Sequence, residues 1–226
     1  MTTGATVIVP AYNEAPRIGN VLRVLLQSEL FDQVIAVDDG SRDQTPSVIR
    51  QYPVTFRAHK ENRGKAAALQ SGLECASKAD IVAFIDADLT GLTVQHLRRL
   101  LQPLYDDDQA LMSIAQFTRA HPGIDAVQKW FAILNGQRAL HRSFIDQLPD
   151  LSPLRFGVEV FLTRYARDLG VTPTRVYWPG VSHIMKEQKY GLIPGFLGRL
   201  NMYKEVLSTF FVTYPRWSKK QLQKMP

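Results

Sequence analysis

A single cysteine, Cys75, stands in 226 residues. That excludes an internal disulfide and any cysteine-rich metal cluster. Cys75 falls inside a helical pattern, where buried packing is the ordinary use of a free thiol. No run of 18 apolar residues occurs, so no transmembrane helix is expected. The opening stretch, MTTGATVIVPAYNE, lacks a basic start, an apolar core and a cleavage site, and it reads as a first strand rather than a signal peptide. Neither a G-x-x-x-x-G-K-[ST] loop nor a G-x-G-x-x-G fingerprint is present, which removes the two commonest glycine-rich devices for holding phosphate. Internal repeats, low-complexity tracts and linkers are also missing. The expectation is therefore one domain over residues 1–226, in a cytoplasmic protein.

What is present is ordinary in amount and uneven in placement. Hydrophobic residues make up 45% and charged residues 21%, as in a soluble globular chain. The net charge of +6 leaves three kinds of partner open: nucleic acid, an anionic membrane surface, or small polyanionic ligands. From Trp178 onward there are eight Lys or Arg and only two acids, so the basic excess sits in the C-terminal portion. Most of it is read as solvated surface.

The first half alternates short apolar runs with helical periods. Strands are expected at residues 5–9, 34–37, 54–58 and 81–85, with helices at 16–26, 45–52 and 65–77 between them. The fold class this implies is α/β, with a mostly parallel central sheet flanked by helices. Ligands of such sheets bind beyond the carboxyl ends of the strands. Polar residues stand at those ends: Asn13 and Glu14, Asp38 and Asp39, Asp86 and Asp88. The second half (residues 119–226) is less regular. Helices are expected at 93–104, 124–144, 157–169 and 196–211, strands at 111–117 and 175–178, and a polar loop at 180–194.

Three motifs carry chemistry. FIDADL, residues 84–89, ends a strand with two carboxylates one residue apart, and in extended backbone residues i and i+2 point the same way. Mg²⁺ takes such carboxylates together with substrate phosphates. Asp38-Asp39-Gly40-Ser41 is a turn whose acid can accept from a base N–H, or simply a turn after which Asp43 caps the next helix. Asn62-Arg63-Gly64-Lys65 opens a helix, where glycine permits close approach, the helix N-terminus favours anions and Lys65 adds a full charge.

VIVPAYNE, AVDDGS, NRGKAAAL and FIDADL, in this order, resemble the nucleotide-binding half of family 2 glycosyltransferases with the GT-A fold, among them the dolichol-phosphate mannose synthases. The resemblance covers residues 5–118. It implies a nucleoside pocket lined by Pro10, Ala11, Tyr12, Asn13 and Glu14, with Asp39 at the base. It implies Gly64 and Lys65 at the nucleotide, Asp86 at the ribose or sugar with Ala87 between the acids, and Asp88 as direct metal ligand. FGVEVFLTRYARDLG and WPGVSHIMKEQKYG are similar to the corresponding part of glucosyl-3-phosphoglycerate synthases. That implies His183 as the second metal ligand and Glu159 near sugar and acceptor. An imidazole also suits a Mn²⁺ or Mg²⁺ site otherwise made of oxygens.

The expected activity is metal-dependent transfer of a hexose from a nucleoside-diphosphate sugar of UDP or GDP type, with Mg²⁺ or Mn²⁺ as cofactor. Asp88, Glu159 and Lys65 are the catalytic candidates, and Lys186 is a clamp on the diphosphate. The acceptor is unassigned among a polyprenyl phosphate, a lipid, a small phosphorylated acid and a glycan. Gly136 is read as a break in the helix over 124–144, leaving room for sugar or acceptor or for a neighbouring helix, with Arg138 or Arg142 available for an acceptor anion. His59, His96, His121 and His141 are read as surface or packing residues. Nucleic acid is not an expected partner. The apolar face of the helix over 196–211 serves equally for peripheral contact at the inner membrane face, for core packing or for a homo-oligomer. A sugar nucleotidyltransferase and a non-catalytic nucleotide-sugar binding module are the rival readings.

Overall fold

The computed structural model describes residues 4–76, 79–117, 136–154, 157–183 and 214. Strand β1 (Ala5–Ala11) is buried along its whole length and lies at the centre of the sheet. Its two faces explain why its run is continuously apolar. Val7 and Val9 face one core cluster and Ile8 faces the other, so no position is left for alternation. Helix α1 (Ile18–Gln27) follows and buries Ile18, Val21, Leu22 and Leu25, the 3.6-residue spacing seen in the sequence. Strand β2 (Gln33–Asp38), the short helix α2 (Thr45–Ile49), strand β3 (Thr55–Ala58), helix α3 (Lys65–Cys75) and strand β4 (Ile81–Phe84) complete the regular half.

β1 pairs in parallel with β2 on one side and β4 on the other, and β2 pairs in parallel with β3. The chain therefore leaves β1 in one direction and returns on its far side. That reversal opens a crevice at the carboxyl end of β1. Register puts the ends level: Ala11 is opposite Asp38, and Asp38 is opposite Ala58.

The second half joins the same sheet differently. After β5 (Leu89–Thr90) and helix α4 (Val94–Asp106) come β6 (Met112–Gln116) and β7 (Arg138–His141). Helix α5 (Arg142–Ile145), a 3-10 turn at Ser152–Leu154, helix α6 (Val158–Asp168), strand β8 (Thr174–Tyr177) and strand β9 (Ser182–His183) follow. The order across the main sheet is β3-β2-β1-β4-β7-β6-β8. β7 is antiparallel to both its neighbours and β6–β8 are parallel.

One expectation fails here. Residues 138–141 were read as the later part of a long helix, and they form a strand inserted beside β4. The apolar spacing of Ala139, Leu140 and Phe144 fits a helix in sequence, but in place Ala139 and Leu140 face the two opposite core clusters. Burial on both faces erases the alternation by which a strand is recognised. Residues 118–135 and the helix read over 196–211 lie outside the described residues. No helix among the described residues is long and apolar enough to cross a membrane.

Candidate active site

The rim above β1 is assembled from strand ends. Asn13 turns the chain out of β1 in the left-handed region, at φ 55°. Its N–H donates to Ser41 Oγ at 2.9 Å, and its Oδ1 accepts from the Arg42 N–H at 2.9 Å. Glu14 is buried. Its N–H donates to Thr45 Oγ1 at 2.8 Å, its carbonyl accepts from the first amides of α1, and its carboxylate pairs with Arg17 at 3.1 Å. The Asn13-Glu14 pair thus stitches the first rim loop to the second. Pro10 and Ala11 are buried below it and Tyr12 is half-buried beside it.

Asp39 is held at several points. Its N–H donates to the Ala11 carbonyl. Its Oδ1 accepts from His59 Nδ1 at 2.7 Å and from the Arg63 N–H at 2.9 Å, and its Oδ2 accepts from the Gly64 N–H at 2.8 Å. Gly64 stands at φ 97°, a backbone conformation that favours glycine, and it precedes the first residue of α3. The turn acid, the glycine loop and the helix that begins at Lys65 are therefore one unit.

Lys65 reaches from the start of α3 across the rim. Its Nζ is 2.6 Å from Asp86 Oδ1 and 2.6 Å from Glu159 Oε1. Glu159 lies in the first turn of α6, in the second half of the chain, and is buried. Burial works against the Lys65 charge, but the two carboxylates outweigh it and hold the ammonium well above the ordinary lysine range. Gly136 makes room for this contact. A Cβ there would lie 2.7 Å from Asp86 Oδ2 and would also strike Lys65 Nζ. Arg138, at the start of β7, is fully buried, and its Nη1 donates to the Glu159 carbonyl at 3.4 Å. Burial pulls its guanidinium down to about 10, against the opposing pull of Glu159 and Asp86. Two acids and two cations are thus gathered in a partly dry place, with space kept open by a glycine.

Asp88 ends the motif half-buried, with Ala87 buried between the acids. Directly after it, β5 pairs antiparallel with β9, which sets Leu89 opposite His183 and Thr90 opposite Ser182. The backbone of the late histidine is thereby brought beside the acidic motif. Thr90 Oγ1 and Ser182 Oγ, 2.8 Å apart, tie the pair. The predicted residues Asp39, Gly64, Lys65, Asp86, Asp88 and Glu159 fall on one rim, His183 is placed beside it by its backbone alone, and Lys186 lies outside the described residues. Arg142 is elsewhere. It donates to the carbonyls of Ala76 and Ala79 at the far end of β7, where it closes the end of α3. His59, read as a surface or packing residue, is of the packing kind: its imidazole is 5% exposed and bonded to Asp39 and Ser71. Its place one residue past β3, level with the other strand ends, was the available signal.

Residues 6–159 match glycosyl transferase family 2. The chain belongs to this family. A 4,4'-diaponeurosporenoate glycosyltransferase of Staphylococcus aureus is 32% identical over 131 residues, covering 54% of this chain and 35% of the relative. An uncharacterized protein of Methanocaldococcus jannaschii is 39% identical over 84 residues, covering 36% of this chain and 34% of the relative. The family 2 chain thus spans about a third of the length of these curated relatives. Among solved structures, glucosyl-3-phosphoglycerate synthase from Mycobacterium tuberculosis, in complex with Mn²⁺, UDP and glucosyl-3-phosphoglycerate, superimposes with a TM-score of 0.73 at 23% identity. The match covers 92% of this chain and 78% of the synthase. A complex of the same enzyme with Mg²⁺ and UDP gives a TM-score of 0.67, again at 23% identity, over 87% and 79% of the two chains. This likeness shows the GT-A fold that the motifs led us to expect.

Proposed function

We propose that this family 2 chain transfers a sugar from a nucleoside-diphosphate sugar to an acceptor oxygen. The observation that carries the reading is Lys65 shared between Asp86 and Glu159 at the topological switch point, packed where Gly136 leaves room for them. The donor base would enter above Pro10 to Glu14 and Asp39, and the diphosphate would lie towards Lys65, at the N-terminus of α3. The synthase whose fold this chain shares was crystallised with UDP and with UDP-glucose, which favours a uridine nucleotide over a guanosine one.

The residues present also fit a divalent cation. Among the described residues no three His, Cys, Asp or Glu side chains are gathered into a cage. Mg²⁺ and Mn²⁺ sites of this kind need few protein ligands, because substrate phosphates complete them. Asp88 and His183 would hold the ion, and when bound it would neutralise charge on the departing diphosphate. Such help is needed: Lys65 and Arg138 are already balanced by Asp86 and Glu159, so this cluster has no surplus positive charge to offer a diphosphate.

The chain's own residues do the rest. An arriving phosphate competes for Lys65, drawing its ammonium from the carboxylates and releasing Glu159 beside the sugar. The bond from the anomeric carbon to the leaving phosphate oxygen breaks, and a bond to the acceptor oxygen forms. The acceptor proton passes to Glu159 if the configuration inverts, or to the leaving phosphate if it is retained, in which case Glu159 orients the sugar.

The test is product analysis with UDP- and GDP-sugars in the presence of Mg²⁺ or Mn²⁺. Release of nucleoside diphosphate with a glycosylated acceptor is expected. Pyrophosphate would indicate a nucleotidyltransferase, and donor binding without turnover on any acceptor class would indicate a binding module.

A further inference from the structure

We propose that His59 is a positioning residue for the donor site: it clamps Asp39, and through Asp39 it fixes the Arg63-Gly64 backbone from which Lys65 extends. The inference rests on reading this rim as the donor site.

The clamp is visible in its bonds. A carboxylate can only accept, so the proton of the Asp39–His59 contact sits on His59 Nδ1. In the neutral ring Nε2 then accepts from the Ser71 hydroxyl, 2.9 Å away. The His59 backbone N–H donates to the Asp38 carbonyl at 2.9 Å. The imidazole is thus braced by the ends of β2 and β3 and by α3, the helix that carries Lys65. Asp39 is buried, and its charge needs donors on both oxygens. Two of its three side-chain donors are loop amides, from Arg63 and Gly64. Glu61, Asn62 and Arg63 are exposed, so that loop is held from its inner side.

Beside the imidazole a groove of about 350 Å³ opens, lined by Arg57, Lys60, Glu61 and Glu74 among others. When the imidazole N–H is lost, Asp39 Oδ1 can recover a donor only by turning towards water in this groove. A hydrated Asp39 no longer obliges the loop to keep its two amides on the carboxylate. Lys65 is the next residue along, so loosening of the loop is felt at the diphosphate position, where small misplacements are costly.

Three variants test this: His59→Phe, which fills the volume but cannot donate; His59→Gln, which keeps a side-chain donor; and Ser71→Ala, which removes the brace on Nε2. The first readout is backbone hydrogen exchange at Arg63 and Gly64 without any ligand. The second is the split between donor KM and kcat. For His59→Phe we expect exchange at both amides to rise about tenfold or more. We expect donor KM to rise about tenfold, with a smaller fall in kcat. His59→Gln should recover most of both, and Ser71→Ala should move the same way by less. Unchanged protection at Arg63 and Gly64 in a folded His59→Phe protein overturns the clamp. If that variant does not fold, unchanged protection in both Ser71→Ala and His59→Ala, which has no side-chain donor, overturns it. Exchange needs no donor, so it decides the clamp even if the wild-type protein binds no nucleotide sugar, a result that would defeat the donor-site reading instead.

Discussion

The two acidic ends of the rim are neutralised in different ways. Asp39 is satisfied by two backbone amides and a buried imidazole, partners built into the loop and sheet. Asp86 and Glu159 share the ammonium of Lys65, with Arg138 buried behind. Amides cannot leave their positions without unfolding the loop, whereas a lysine on a flexible stem can turn to a new anion. The first end is a fixture and the second is exchangeable. The donor site proposed for this rim would use both: a rigid seat for the nucleoside, and charges that rearrange when the diphosphate arrives.

That contrast can be broken most severely at the exchangeable end. Asp88→Ala should lower metal-dependent donor turnover by about a thousandfold or more, since Lewis-acid stabilisation is worth several kcal/mol and each 1.36 kcal/mol is tenfold. Steady-state assays at saturating Mg²⁺ and Mn²⁺ would measure it, and full activity would remove Asp88 from the site. Lys65→Met leaves two neighbouring carboxylates without their shared cation. It should cost about 3 kcal/mol in urea unfolding, and adding Glu159→Gln should restore part of that.

The same pair predicts a pH window. The folded-state pKa of Lys65 is raised, so its stabilising effect is complete below the ordinary lysine value of 10.5 and is lost only as pH rises above it. The stability gap between wild type and Lys65→Met should therefore be flat from neutral pH to pH 9 and should narrow in more alkaline solution. A gap that closed between pH 7 and 9 would mean that Lys65 is not held by both acids.

Gly136→Ala sharpens the contrast further. The added Cβ meets Asp86 Oδ2 and the end of Lys65, so both charged groups must shift, at a cost of about 1–3 kcal/mol in stability. Donor turnover should fall about tenfold or more, because the displaced charge is the one the diphosphate needs. The smallest effect on function belongs to Arg142→Ala. It removes two charged hydrogen bonds that close the end of α3, far from the rim. Stability should drop by about 2 kcal/mol with turnover unchanged.

The regular half was legible because its strands are short apolar runs that end on polar residues, and its helices carry a clean 3.6-residue period. Asp39, Gly64, Lys65, Asp86 and Asp88 lie within a few residues of those ends, so their convergence follows from a parallel sheet. Glu159 and His183 were singled out chiefly by motif resemblance, with the imidazole's suitability for a metal site as a weaker signal. Their approach depends on α6 and on the β5–β9 pairing, contacts between residues distant along the chain that periodicity does not encode. β7 was misread because burial on both faces gives strand and helix the same apolar signature over four residues. His59 was passed over because a lone histidine carries no pattern of its own. Its meaning came from being one residue past a strand end, beside an acid contributed by another strand.

The measurement that bears most directly on the account is thermal stabilisation by UDP- and GDP-sugars with and without Mg²⁺ or Mn²⁺, in wild type and in Asp88→Ala. A ligand that binds the native state raises its melting temperature with concentration. A metal-dependent upward shift is expected with at least one nucleotide sugar in wild type, and its loss in Asp88→Ala. A shift of equal size in the variant, or no shift with any donor in wild type, would contradict it.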